Sequence, residues 1–153
     1  MIPTRWKQVS AEEAAASPYY GFGGLLIFFY VIALILIALP VMSVFGSGEG
    51  TMRMYGPENA AVMRNGNAVR LLLLLPFLVL APLKHRLMPA IAIACYWASL
   101  AVLLITFATA NVPMGRMINV ILFNAAVAIV FTLYLLFSKR VNATYRQRVP
   151  ADG

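Results

Sequence analysis

The chain has 153 residues, of which 62% are hydrophobic and 11% are charged, and its formal net charge at pH 7 is +7. A soluble domain averages about 25% charged residues, so this composition excludes an ordinary soluble globular protein. A positive charge can indicate nucleic-acid binding. In a membrane protein, however, basic residues collect in the cytoplasmic loops, and we therefore expect no nucleic-acid partner.

Residues 1–18 form a polar lead-in, which we expect to be cytoplasmic or to lie at the membrane interface. Ser10 and Glu13 fit the capping-box pattern, in which the side chain of each accepts a hydrogen bond from the backbone amide of the other. The short helix that they begin should stop before Pro18. Trp6 is an amphipathic aromatic residue, so we expect this segment to lie along the lipid headgroups.

Apolar segments dominate the rest of the chain. Backbone polar groups in lipid must be satisfied within the segment, so a single apolar span must be helical, and about 20 residues cross the hydrocarbon core. We predict an all-α, polytopic membrane protein with a four-helix transmembrane domain at residues 19–138. The spans are predicted at about 22–45, 66–83, 89–110 and 117–137, with an outer loop at 46–65 and a basic cytoplasmic tail at 139–153.

The first span begins with a glycine-rich segment and contains no charged residue. Gly21, Gly23 and Gly24 have no side chain, so another backbone can approach them closely. We predict that these glycines form a helix-packing or partner contact.

The second span is the shortest, because only the 13 residues from Leu71 to Leu83 are free of charge and they include Pro76. The segment can still cross if its helix begins near Arg64. Arg70 would then lie at the outer edge and snorkel its guanidinium to the lipid headgroups. Pairing of Arg70 with Glu58 or with an acidic partner is the alternative. A re-entrant hairpin is the alternative for the whole segment.

The third and fourth spans carry small and polar residues. A groove of small side chains follows one helical face of the third span, at Ala90, Ala94, Ala98 and Ala101. We expect this groove to pack inside the bundle or against a partner. In the fourth span, the Asn124 amide can hydrogen-bond across helices, and we predict a packing role, with ligand contact as the alternative. Ser99 and Thr106 can donate hydrogen bonds to carbonyl groups of their own helix, so they are weaker candidates than Asn124 for a contact with another helix or a ligand.

Basic residues are distributed unequally between the two sides of the membrane. Eight lie in the lead-in, the turn after the second span and the tail: Arg5, Lys7, Lys84, Arg86, Lys139, Arg140, Arg146 and Arg148. Four lie on the other side: Arg53, Arg64, Arg70 and Arg116. Both termini are therefore expected in the cytoplasm. We predict that Lys84, Arg86, Lys139, Arg140 and Tyr145 contact anionic lipid headgroups or the tail.

The residues that catalysis or metal binding would need are scarce. Cys95 is the only cysteine and His85 the only histidine, so the spacing motifs of zinc, haem and iron–sulfur sites are absent. The predicted spans contain no acidic residue and no histidine, whereas proton-coupled transporters and acid–base enzymes need such groups. We expect no cofactor, no metal and no enzymatic activity.

Two stretches resemble a known family. Gly21-Phe22-Gly23-Gly24-Leu25 resembles the Gly-Ile-Gly-Gly-Trp-Leu opening of the bacterial inner-membrane proteins catalogued as domain of unknown function 2569 (DUF2569). Ser138-Lys139-Arg140-Val141-Asn142-Ala143-Thr144-Tyr145 resembles the family's closing Ser-x-Arg-Val-Lys-x-Thr-Phe. The family usually has Ile, Trp, Lys and Phe in place of Phe22, Leu25, Asn142 and Tyr145. The resemblance implies four helices in the inner membrane and supplies no catalytic residues.

Both motifs lie at cytoplasmic ends of spans, so we expect the tail to fold back against the glycine-rich segment and close that side of the bundle. The missing ionisable groups, the alanine groove and the lack of a sizeable soluble domain favour a non-catalytic accessory or scaffold subunit of a larger membrane complex. The alternative is a small transporter or lipid-handling protein that uses Asn119, Asn124 and a kink at Pro76 to line a cavity.

Overall fold

The computed structural model of the protein describes residues 6–110 and 112–151. The start of the lead-in with Arg5, Asn111 of the short outer loop and the last two residues of the tail lie outside the described residues. Within the described part, the elements in chain order are β1 (Trp6–Gln8), α1 (Ala11–Ala16), α2 (Leu25–Phe45), α3 (Glu49–Tyr55), α4 (Ala60–Leu80), α5 (Met88–Thr109), α6 (Met114–Phe137), α7 (Lys139–Arg146) and β2 (Arg148–Pro150).

Four of these helices, α2, α4, α5 and α6, are long and apolar enough to cross a membrane. The protein is therefore an all-α, polytopic membrane protein, as its composition predicts. Large apolar side chains such as Phe28, Ile35 and Phe45 project outward from α2 and are exposed. An apolar exterior of this kind is suited to contact with lipid.

The bounds of α4 differ most from the prediction. The helix begins at Ala60, ahead of the predicted start at residue 66, and ends at Leu80 rather than at residue 83. It continues through Gly66 and Pro76 as one helix of 21 residues, which is long enough to cross the membrane and contradicts a re-entrant hairpin. The predicted outer loop at 46–65 is therefore largely helical, because it contains α3 and the first residues of α4.

Gly66 explains why α4 lies so close to α5. A Cβ atom at Gly66 would overlap the side chain of Thr106 on α5. Only glycine leaves room for this approach of the two helices. Gly66 therefore acts as a packing position inside α4 rather than as its end.

Aromatic side chains fill the half of the bundle where α2 begins and α6 ends. Phe131 of α6 lies 5.1 Å from Phe29 of α2, 5.0 Å from Phe77 of α4 and 4.6 Å from Tyr96 of α5, measured between ring centroids. All four rings are buried. Phe131 thus connects all four membrane-spanning helices, at distances typical of favourable aromatic pairs.

The lead-in and the tail meet at this same end of the bundle. Strands β1 and β2 pair antiparallel, with Lys7 opposite Val149, so the two described ends of the chain lie on one face of the protein. The capping box of α1 is confirmed. Ser10 Oγ accepts from the Glu13 amide over 3.2 Å, and the Glu13 carboxylate accepts from the Ser10 amide over 3.0 Å.

Helix α7 folds back against the glycine-rich segment, as the two motifs predict. Thr144 Oγ1 accepts a hydrogen bond of 2.9 Å from the Gly21 amide, and the Gly21 φ of +111° is one that glycine adopts readily. The Arg140 guanidinium lies beside Gly23. Tyr145 is 2% exposed and donates a hydrogen bond of 2.6 Å to the Ala81 carbonyl at the end of α4. A lipid-headgroup contact for Tyr145 is therefore wrong, because the ring is buried in the protein.

Candidate functional site

The half of the bundle away from the termini contains a pocket of about 510 Å³. Cavities of about 300–1,000 Å³ are typical of small-molecule sites in proteins. All four membrane-spanning helices contribute to its wall. The buried or partly buried apolar part of that wall consists of Leu36, Pro40, Met63, Leu103 and Phe107.

Helix α3 forms part of the rim of this pocket. The Thr51 hydroxyl donates a hydrogen bond of 3.3 Å to the Ser43 hydroxyl, which ties α3 to the end of α2. The Tyr55 ring packs against Phe107 with centroids 6.1 Å apart. Burial raises the pKa of the Tyr55 phenol, although the nearby charge of Arg70 lowers it in part. The phenol therefore keeps its proton at neutral pH and can donate a hydrogen bond.

The side of the pocket between α2 and α6 opens toward the surroundings. These two helices meet through Phe29, Phe131 and Tyr134 in the aromatic half of the bundle. In the pocket half, Met42 of α2 is 69% exposed and Val120 of α6 is 37% exposed, although both line the pocket. The pocket is therefore not closed off between these two helices.

Arg70 and Asn124 form the floor. The Arg70 side chain is only 9% exposed. Its Nε atom donates to Ser99 Oγ over 3.3 Å, and its Nη2 atom donates to Asn124 Oδ1 over 3.0 Å. The Asn124 amide nitrogen donates in turn to the Val120 carbonyl of its own helix over 2.8 Å. Arg70 thereby joins α4 to both α5 and α6.

A much smaller cavity of about 10 Å³ lies between this floor and the aromatic half of the bundle. It shares Arg70 and Asn124 with the large pocket and extends to Leu74 and Tyr96. A cavity of this size holds at most about one water molecule. The floor therefore separates the pocket from the tightly packed half of the protein.

The position of Arg70 corrects the sequence prediction. Snorkelling requires a guanidinium near the membrane interface, but α4 begins early enough that Arg70 lies ten residues from either end of the helix. Its guanidinium turns inward to Ser99 and Asn124, so a contact with the headgroups at the outer interface is wrong. Glu58 is exposed to the surroundings and is not its partner.

The charge of Arg70 has only neutral hydrogen-bond partners among the described residues. The acidic residues of that part of the chain are all exposed: Glu12, Glu13, Glu49 and Glu58. Taking a guanidinium out of water costs several kcal/mol, and neutral acceptors compensate for this only in part. The floor of the pocket is therefore electropositive.

The predicted basic contacts lie together on the face that carries the termini. The Lys84 ammonium lies 4.9 Å from the centre of the Tyr20 ring, and the Lys139 ammonium lies 5.3 Å from that of Tyr19. Arg86 is exposed. Arg140 is half-buried and donates to the Tyr20 carbonyl over 3.5 Å, so its contact is with the protein.

The alanine groove of α5 faces away from the bundle. Ala90, Ala94 and Ala101 are exposed, and Ala98 is half-buried. Packing of the groove inside the bundle is therefore wrong, because its face is turned outward. Contact with a partner stays a prediction.

Part of the site is not apparent from the sequence. Ser99 accepts a hydrogen bond from Arg70, whereas Thr106 does bond within its own helix, to the Val102 carbonyl over 2.7 Å. Arg70, Ser99 and Asn124 each lie near the middle of their own helix, so they lie at a similar depth in the membrane. This shared depth is the sequence signal that could have indicated the cluster.

Two further expectations about the cavity differ from the structure. Asn119 is exposed, and the described lining of the two cavities includes neither Asn119 nor Pro76. The role of Tyr55 could not be read from the sequence, because it depends on how α3 folds over the pocket.

Comparison with protein-family models, with curated proteins and with solved structures found no match. Within the described residues, no group of three or more His, Cys, Asp or Glu side chains is placed to hold a metal ion. The geometry of the pocket is therefore the basis for assigning a function.

Proposed function

We propose that the protein is a non-catalytic, lipid-handling membrane protein that holds a membrane amphiphile in the pocket between its four spans. The observation that carries this proposal is the pocket of about 510 Å³, with an apolar wall and a polar floor at the middle of the bundle. An apolar wall suits a hydrocarbon chain, and a small number of polar groups at one end suits the group that the chain carries.

The two halves of the bundle differ in a way that supports a binding protein over an open channel. Phe77, Tyr96 and Phe131 pack against one another beyond the floor of the pocket, with centroids 4.6 to 6.1 Å apart. Passage of a ligand across the membrane would require these rings to separate. The opening between α2 and α6 supports entry of the ligand from the lipid itself.

The proposal includes the bacterial inner membrane, with both termini in the cytoplasm. The unequal distribution of basic residues supports this orientation. Exposed cations on the terminal face, such as Lys84 and Arg86, would then contact anionic lipids of the inner leaflet. Membership of DUF2569, which the two motifs resemble, also stays a proposal.

A pocket-filling substitution tests the proposed function. Val120→Trp puts a large ring at the opening of the pocket, whereas Val130→Trp is a matched control at an exposed position of the same helix. Each variant would be purified in dodecyl maltoside, and its bound lipid would be measured by native mass spectrometry. We expect lipid to remain bound to the wild type and to Val130→Trp but to be lost from Val120→Trp. Equal occupancy in all three would reject the pocket as the site.

The second candidate function is an accessory or scaffold subunit of a larger membrane complex, and the outward-facing alanine groove is the observation that favours it. We would compare Ala94→Phe with Leu122→Phe, an exposed position on α6, in purifications from the native membrane in mild detergent. A stoichiometric partner that is lost only from Ala94→Phe would support this role. A protein that leaves the native membrane as a monomer without a partner would contradict it.

A further inference from the structure

Arg70 is the only charged side chain among the described residues that line the pocket. Its hydrogen bonds to Ser99 and Asn124 use the Nε and Nη2 atoms. The third nitrogen, Nη1, donates to no atom of the described chain, yet no fully buried side-chain nitrogen or oxygen in that part lacks a partner. Nη1 is therefore not fully enclosed by protein, and the Arg70 side chain lines the pocket.

We infer that the pocket takes a ligand with one anionic group, a carboxylate or a phosphate, which pairs with Arg70 at the floor. The inference rests on the proposed function, because it names the ligand class of the same site. The apolar chain of this ligand lies along the wall and leaves the protein between α2 and α6.

The position of Arg70 favours an anion over a neutral polar group. A cation at the middle of a membrane-spanning helix is costly unless it is paired, and cations of this kind mark ligand or ion sites in membrane proteins. Guanidinium groups bind carboxylate and phosphate oxygens through charge-assisted hydrogen bonds, which are about twice as strong as those between neutral groups. An anionic ligand would supply the counter-charge that the described residues do not.

The polar residues around Arg70 fit the same assignment. Ser99 and Asn124 are positioning residues, because they hold the guanidinium through two of its nitrogens and leave Nη1 without a hydrogen-bond partner among the described residues. Tyr55 and Asn67 also line the pocket, and each carries a neutral hydrogen-bond donor. A lining with donors and one cation, and with no carboxylate among its described residues, disfavours a cationic ligand.

Four probes separate the ligand classes. Oleate and lysophosphatidic acid each carry one chain and an anionic group, monoolein carries a similar chain without charge, and inorganic phosphate carries the charge without a chain. Binding would be measured on the full chain in dodecyl maltoside at about pH 8, where a carboxylate is ionised. We expect the wild type to bind the two anionic amphiphiles about tenfold or more tightly than monoolein.

Two substitutions should remove that preference in different ways. Arg70→Gln removes the cation, and Asn124→Asp supplies a carboxylate beside Arg70 that competes with the anion and preserves the pairing inside the bundle. Both variants should bind oleate and monoolein with affinities that differ by less than about threefold, since the charge-assisted bond is lost. Arg64→Gln, at an exposed position of the same helix, should keep the wild-type preference. Unchanged monoolein binding would show that each variant is folded.

The outcomes distinguish this inference from the proposed function. If both Arg70→Gln and Asn124→Asp retain the tenfold preference for anions, the inference is overturned while lipid binding stands. If the wild type binds none of the three amphiphiles, the proposed function is overturned. If the wild type binds inorganic phosphate as tightly as oleate, and Arg70→Gln does not, the anion site is supported and its ligand comes from solution rather than from lipid.

Discussion

The Nη2 atom of Arg70 donates a hydrogen bond of 3.0 Å to Oδ1 of Asn124, and the bond joins α4 to α6 near the middle of both helices. It connects residues that are 54 positions apart in the sequence. The bond turns a guanidinium inward, away from lipid, and fixes it at the floor of the pocket. Arg70 therefore contributes to the packing of the helices and to the charge of the site.

A double-mutant cycle should measure this bond. Arg70→Gln and Asn124→Ala should each lower the stability in detergent, and the double variant should lose less than the sum by about 1–2 kcal/mol, as expected for an interhelical hydrogen bond in a membrane protein. The free energy of unfolding of each variant would be measured by titration with sodium dodecyl sulfate, with circular dichroism as the readout. Arg64→Gln combined with Asn124→Ala should be additive, and coupling of zero between Arg70 and Asn124 would contradict the assignment.

Gly66→Ala should destabilise the protein by about 1–3 kcal/mol, the range for overpacking a tight contact. The added methyl group would overlap the Thr106 side chain and push α4 away from α5. Thermal unfolding in detergent measures the effect, and Thr106→Ala in the same chain should recover part of the loss. Gly115→Ala is the control, because a Cβ atom there meets nothing within 4 Å. An equal loss in both variants would argue against the close approach.

Thr144→Val should loosen the contact between α7 and the glycine-rich segment. The hydroxyl accepts from the Gly21 amide and lies 3.4 Å from the Gly21 carbonyl, and its loss should cost about 1 kcal/mol. Hydrogen exchange should become faster in peptides that cover residues 19–24. Thr109→Val removes only a bond to the Ile105 carbonyl of its own helix and serves as the control. Unchanged exchange in Thr144→Val would show that the tail is held by other contacts.

Tyr145→Phe should change the response of the protein to alkaline pH. Desolvation, together with the neighbouring Tyr134, raises the pKa of the Tyr145 phenol in the folded state above its usual value. The resulting stability is fully present below the unfolded pKa of about 10 and is lost as the pH rises above it. Tyr145→Phe should lower the stability by about 1 kcal/mol at neutral pH, because the hydrogen bond to the Ala81 carbonyl is lost. Above about pH 10, the stability of the variant should fall less steeply with pH than that of the wild type.

Stability of wild type and variant would be compared by denaturant unfolding from about pH 8 to pH 11, a range that brackets the ordinary tyrosine pKa. Tyr19→Phe, at an exposed position, is the matched control. If wild type and Tyr145→Phe lose stability in parallel, the phenol of Tyr145 is not the group that titrates.

Cysteines at positions 7 and 149 should be joined by a short bismaleimide, because Lys7 and Val149 face each other across β1 and β2. The background would carry Cys95→Ser. A pair at positions 7 and 52 is the control, since Met52 lies on α3 at the other end of α2. A maleimide that cannot cross membranes should label position 7 from the cytoplasmic side only. Labelling from the outer side would reverse the predicted orientation.

The four spans could be predicted from the sequence because hydrophobic length is a local property. The observed α2, α5 and α6 lie within three residues of the predicted spans at both ends. The capping box at Ser10 and the return of Thr144 to the glycine-rich segment were also accessible, since both rest on short motifs. Each of these features depends on a few neighbouring residues. The spans are predictable for the further reason that lipid requires any single apolar span to be helical.

The site itself depends on how the helices pack against one another. The early start of α4 places Arg70 at the middle of the bundle rather than at the expected interface, and Gly66 packs closely against Thr106 within the same helix pair. Only the folded chain brings Ser99 and Asn124 to the guanidinium, folds α3 over the pocket and turns the alanine groove outward. Hydrophobic length along the chain is enough to predict a four-span membrane protein. The direction in which one buried cation points depends on which helices become neighbours, and no single segment encodes that.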